Sequence, residues 1–181
     1  MKNILLALFG ILFFASSCAS QNYVESGILN TIIQQKQFTF MAERIDILSP
    51  DLVNVINSMP NSSYARMQDL DYGYDIVFEN NEMIVYLPYF GRTYNPSRDL
   101  DKAGFKFTSK DFTIDEKEGK KGKKLLTIKP NDVNNVNAIY MEISPNGKCY
   151  VSINANDRQP ISFTGYIMKN EVKKGDSKIK N

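Results

Sequence analysis

From residue 38 onward the chain is written mostly in alternating apolar and polar positions, and a period of two marks strands with one face buried and one in water. Phe38, Phe40 and Ala42 alternate with Thr39, Met41 and Glu43, and Ile45 and Ile47 then shift phase, which predicts a first strand carrying a bulge. Leu70, Tyr72, Tyr74, Ile76 and Phe78 stand opposite Asp69, Asp71, Gly73, Asp75 and Glu79, the clearest strand pattern in the chain. Asn80 and Asn81 tolerate positive φ and predict a two-residue turn into a returning strand, Met83 to Leu87, which Pro88 ends. Thr93 to Ala103 reads as a polar loop, Gly104 to Thr108 and Phe112 to Asp115 as two more strands, and Glu118 to Lys124 as a charged tip. Leu125 to Lys129 follows. Val136 to Ile143 and Lys148 to Ala155 flank Asn146-Gly147, the strongest local hairpin signal, and Asp157 to Pro160 turns into a last strand, Ile161 to Ile167.

Helical spacing is confined to two segments. Val24, Ile28, Ile32 and Ile33 share one face between Tyr23 and Gln35, although Gly27 and the β-branched residues weaken that helix. Pro50 and Asp51 can open a second turn or helix, with Leu52, Val53, Val55 and Ile56 on one side until Pro60 stops it. About nine strands joined by short turns predict an all-β antiparallel domain, a lipocalin-like β-barrel with a β-sandwich as the alternative, preceded by a short N-terminal helix. Aromatic residues make up 12% of the chain, and Phe38, Phe40, Tyr72, Tyr74, Phe78, Phe105 and Phe107 are bulky enough to fill such a barrel. A small apolar ligand would need that interior to be open.

The first residues carry a different signal. Lys2, the apolar run Ile4 to Ala15, and the small residues Ala15, Ser16 and Ser17 before Cys18 read as a bacterial lipoprotein export signal. The run is too short to cross a bilayer core, which takes roughly 20 apolar residues. Cleavage before Cys18 and acylation of its sulfur would hang the domain from a membrane by a lipid. Ala15 stands where a lipoprotein box usually has Leu, and an ordinary secretory signal is the alternative. The expected organisation is a signal peptide at 1–17, a lipid-anchored segment with a short helix at 18–36, the β-barrel at 37–168, and a polar lysine-rich tail at 169–181. Residues Ala19 to Asn22 hold no acidic cluster, which favours an anchor facing the periplasm.

Charge and cysteine usage narrow the chemistry. A formal net charge of +2 generates no long-range field, which excludes nucleic acid as a partner. With Cys18 acylated only Cys149 remains, and its place in the alternation Cys149, Val151, Ile153, Ala155 makes it a small buried apolar residue. Histidine is absent, which removes the commonest general base and every Ser-His or Cys-His nucleophile. A hydrolase working through two carboxylates stays open as the weaker alternative, but twenty acidic residues offer no spacing by which to choose a pair.

Three constellations merit weighing. Asp69, Asp71, Gly73 and Asp75 hint at a calcium loop, but the glycine stands fifth and Asn80 takes the twelfth position, so the solvent face of a strand explains them better and no metal or cofactor is expected. Lys117, Lys120, Lys121, Lys123 and Lys124 form a positive cluster that could touch anionic lipid; Glu116 and Glu118 dilute it, and spacing alone favours a solvated hairpin tip. Tyr86, Tyr89, Phe90, Arg92 and Tyr94 are the candidate ligand surface, since aromatic faces beside a guanidinium suit a sugar, a peptide or a lipid headgroup. The competing reading has Pro88 and Gly91 fixing a strand exit, Tyr89 and Phe90 plugging one barrel end, and Arg92 covering them.

The segment Leu87-Pro88-Tyr89-Phe90-Gly91-Arg92, together with Asn146-Gly147 and the run Arg158-Gln159-Pro160-Ile161-Ser162-Phe163-Thr164-Gly165, resembles the bacterial family called domain of unknown function 4251. The resemblance covers most of the chain, from the first strand to Ile167. It implies a β-rich, lipocalin-like barrel in an exported protein, and it implies no activity and no catalytic residue. The expectation is a lipoprotein facing the periplasm that acts without catalysis, either binding a ligand or meeting another envelope protein through a surface with no pocket.

Overall fold

The computed structural model describes residues 21–46, 50–59, 68–94 and 104–170. The expected export signal at 1–17, Cys18, the expected polar loop beyond Tyr94 and the tail after Asn170 lie outside the described residues.

Nine strands form one antiparallel sheet: β1 Phe38–Asp46, β2 Asp75–Glu79, β3 Glu82–Leu87, β4 Phe105–Ser109, β5 Phe112–Glu118, β6 Lys124–Pro130, β7 Val136–Ile143, β8 Lys148–Ala155 and β9 Ile161–Met168. Their order is β4-β3-β2-β1-β9-β8-β7-β6-β5, so the first strand pairs with the last and the two edges, β4 and β5, are consecutive in the chain. A sheet whose edge strands are joined by two residues, Lys110 and Asp111, must curl back on itself. The result is a nearly closed barrel rather than a sandwich of two sheets. Asp132 braces that turn: Ser109 donates to its Oδ1 at 2.5 Å, and the Lys110 and Asp111 N–H groups donate to its Oδ2 at 2.8 and 3.2 Å. The Ser109 hydrogen bond, with the two N–H donors, holds the Asp132 carboxyl below its ordinary pKa.

The predicted bulge in β1 is present, as the register against β9 shifts between Ala42 and Arg44. Opposite it lies Gly165, where a Cβ would sit 1.9 Å from the Met41 carbonyl oxygen, so only glycine lets the two strands approach this closely. The interior is filled by Phe38, Phe40, Phe78, Phe105 and Phe163, none more than 2% exposed, and Phe38 stacks on Phe78 at 4.6 Å. Cys149 lies on the inner face of β8 as its alternation predicts, and burial pushes its thiol well above the ordinary value.

Two helices complete the described residues, α1 Ser26–Gln34 and α2 Pro50–Ser58. Leu29, Ile32 and Ile33 of α1 enter the barrel's core, and this packing outweighs the weak propensity of Gly27 and the β-branched residues. The helix stops in a left-handed C-terminal motif: Lys36 takes φ 52°, its N–H donates to Ile33 O, and Gln37 N–H donates to Ile32 O.

Three expectations are corrected. The strand read from Leu70 begins only at Asp75, because Tyr72 and Gly73 form a turn with Gly73 at φ 112° and Tyr72 is 70% exposed. Period two in that stretch came from a turn leading into a strand, and Asp69 there pairs with Arg44 at 3.3 Å. Of the side chains expected to fill the barrel, Tyr72 is therefore outside, Tyr74 stacks on Tyr86 at 5.4 Å, and Phe107 is half-buried. The β7–β8 hairpin forms with the predicted strand bounds, but Gly147 N–H donates to Ser144 O, which places Pro145 and Asn146, not Asn146 and Gly147, at the turn's centre.

Candidate functional site

The β7–β8 and β8–β9 turns close opposite ends of β8, whose eight residues span about 25 Å. α1 covers the first end. The second is a rim built from three pieces: the chain leaving β3 (Pro88 to Tyr94), the entry to β4 (Gly104 and Phe105), and the β8–β9 turn (Asn156 to Pro160).

Backbone hydrogen bonds stitch the first piece to the third. Tyr94 N–H donates to Asp157 O at 2.8 Å, Gln159 N–H donates to Arg92 O at 3.1 Å, and Thr93 and Arg158 form a β-bridge. Beneath them lies Arg158, 5% exposed. Its guanidinium sits 5.0 Å from the ring centroids of both Tyr89 and Phe105, and the two rings meet edge to face at 5.8 Å. Nε and Nη2 donate to the two Asp157 carboxylate oxygens at 3.0 and 2.9 Å, and Nη1 donates to Gly104 O at 3.3 Å. The forked Arg158 hydrogen bond holds the Asp157 carboxyl below its ordinary range.

Tyr89 is the other half of the clamp. Its hydroxyl donates toward the carbonyl oxygens of Arg92 and Gln159, at 2.8 and 3.2 Å, and burial pushes the phenol's pKa up. The ring lies over Gly91, where a Cβ would come within 2.6 Å of the hydroxyl. That contact explains locally why glycine follows Tyr-Phe in this segment.

The five candidate residues are thereby separated. Tyr89 is committed to the clamp. Tyr86 faces outward from β3, 46% exposed. Phe90, at 43%, and Tyr94, at 57%, project from the rim together with the exposed Arg92. The cation covering Tyr89 is Arg158 rather than Arg92, and Phe90 does not plug the barrel. Arg158, Asp157 and Phe105 are not among the five, since an Asp-Arg pair in a predicted turn carries no local sign of burial.

Buried Arg158 commits Nε, Nη1 and Nη2 to Asp157 and Gly104, so among the described residues the aromatic and cationic chemistry the rim offers to solvent is that of Phe90, Arg92 and Tyr94. Two surface depressions lie elsewhere. One of about 200 Å³ runs over the outer face of β1, β2 and β9 between Tyr72, Met41, Val77 and Met168, and one of about 80 Å³ separates α1 from the β5–β6 tip. Among the described residues no three His, Cys, Asp or Glu side chains are grouped to hold a metal, and no helix is long and apolar enough to cross a membrane.

The fold and rim define a class: a nearly closed antiparallel barrel, packed through its middle, with one end covered by a helix and the other clamped by a buried arginine. The chain belongs to the family described as domain of unknown function (DUF4251), whose model matches residues 21–167. It is similar to the crystal structure of a DUF4251 family protein from Bacteroides eggerthii, with 11% identity, a TM-score of 0.51, and coverage of 82% of this chain and 89% of that one. At that identity the likeness speaks for the fold. The comparison with curated proteins returned no match.

Proposed function

We propose that this protein is an exported lipoprotein, anchored through Cys18 on the periplasmic side of the envelope, which acts without catalysis by holding an envelope partner at its aromatic rim. One observation carries the reading. Phe90 and Tyr94 stay in water on a loop that Tyr89 and Arg158 hold rigid from below. Rings kept exposed on a fixed scaffold lose little conformational freedom on binding, a property shared by binding surfaces that rely on aromatic residues. With Arg92 between them they suit a peptide or protein surface, or the face of a sugar.

The occupied interior favours this outside surface over a small apolar ligand held within the barrel. Native mass spectrometry of protein extracted from its own membrane in mild detergent tests the rim. The expected result is a bound species on the wild type that is lost in Phe90→Ser/Tyr94→Ser with its thermal transition unchanged. A bare mass in both proteins, or an adduct that survives the substitution, would sink the rim assignment. Intact mass of the same sample tests the anchor, with acyl chains expected on a chain that starts at Cys18.

A further inference from the structure

We infer that the α1 end of the barrel lies against an anionic lipid surface, with the lysine tip Lys120–Lys124 as its contact, so that the aromatic rim points away from the membrane. This inference rests on the lipoprotein reading above and adds to it an orientation and a lipid class.

The chain is fastened to the barrel almost from the anchor onward. The Gln21 carbonyl accepts from Asn146 Nδ2 at 3.2 Å, Tyr23 N–H donates to Asn146 O at 2.9 Å, and the Tyr23 ring stacks on Tyr166 at 4.8 Å. Cys18 precedes Gln21 by three residues, which reach at most about 11 Å even when fully extended. A lipid on Cys18 therefore holds the β7–β8 turn close to the bilayer. A tether this short restricts rotation, and the end of the barrel carrying Asn146 is the one brought to the surface.

The charged tip lies at that same end. The turn Lys120–Gly122 packs beside Pro145, next to Asn146, since a Cβ on Gly122 would meet the Pro145 ring at 3.5 Å. Gly122, Lys124, Ser144 and Pro145 border one depression with Leu29 and Asn30 of α1. Within the tip, Lys117, Lys123 and Lys124 are balanced by Asp115, Glu142 and Glu116. Lys120, Lys121 and Lys148 are exposed and enter no ion pair among the described residues, set against the exposed Glu25 and Glu118. Spacing alone made this cluster a solvated tip. Its position beside the anchored end gives the surplus lysines a surface to meet, and each lysine near an anionic leaflet strengthens the contact roughly fivefold. The rim lies a β8 length away, facing outward.

Lysine footprinting on tethered protein tests this. The chain from Cys18 onward keeps every described residue, and its Cys18 thiol can be coupled to a maleimide lipid while Cys149 stays buried. Vesicles of 30% phosphatidylglycerol in phosphatidylcholine are compared with pure phosphatidylcholine, and acetylation of each lysine is read by mass spectrometry. On the anionic vesicles, Lys120 and Lys121 should be modified at least about fivefold more slowly than in the untethered protein, and the protection should weaken on neutral vesicles. Lys129, toward the other end of β6, should react as it does in solution. Equal protection on both vesicles, protection that reaches Lys129, or none at Lys120 and Lys121 overturns the inference. The coupling bypasses acylation by the cell, so this outcome is separate from the intact-mass test of the anchor.

Discussion

Replacing Arg158 by alanine should unlock the rim without touching the middle of the barrel. The substitution strips Asp157 of a forked partner, Gly104 O of a donor, and the Tyr89 and Phe105 rings of the cation between them. Removing one member of a buried ion pair costs about 3–5 kcal/mol. The Asp157 side chain is 22% exposed and regains some water, which moves the expectation to the lower end, about 3 kcal/mol. For a domain of this size that is a fall in melting temperature of about 6–12 °C. The pH dependence supplies a second reading. Arg158 depresses the folded pKa of Asp157 below its ordinary 3.8, so its contribution is complete above that value and is lost as pH falls through the lowered one. The gap between wild type and Arg158→Ala should thus be widest near neutrality and narrow below about pH 4. Differential scanning calorimetry from pH 7 to pH 2.5 measures both. A shift of less than about 2 °C at pH 7, or a gap that stays constant into acid, would refute the clamp as described.

Two further outcomes follow from the packing. Gly165→Ala places a methyl group 1.9 Å from the Met41 carbonyl at the β1–β9 junction, and a loss exceeding about 4 kcal/mol, or no soluble protein, is expected in expression and urea unfolding; a mild loss would mean the strands separate easily. Cys149, buried and with its thiol pushed well above the ordinary range, should not react with a thiol reagent at pH 8 until the protein is denatured, and rapid labelling of the native domain would contradict its placement.

The strands were legible because alternation and turn residues agree over most of the chain: Val136 to Ile143 and Lys148 to Ala155 match the expected bounds, and Asn80 and Asn81 take the positive φ values their turn requires. The failure at Leu70 to Tyr74 has a physical cause, since alternating aromatics and carboxylates satisfy a period of two whether the backbone extends or turns at Gly73. The site was legible in part. Aromatic residues around Pro88 and Gly91 announced a special strand exit, but deciding which of them faces solvent required knowing that Arg158, about seventy residues away, fills the space beneath Tyr89. That contact exists only once the β8–β9 turn lies beside the β3 exit. The proposed orientation toward a membrane was likewise hidden, because the proposal rests on Asn146 fastening Gln21 and Tyr23 to one end of the barrel.

Photo-crosslinking in intact cells tests the rim as working surface most directly. A benzoyl-phenylalanine placed at position 90 or 94 should yield a discrete crosslinked species, and the same probe at Thr113, exposed on the outer wall of β5, should yield none. Adducts of equal intensity from all three positions, or none from the rim, would contradict the account.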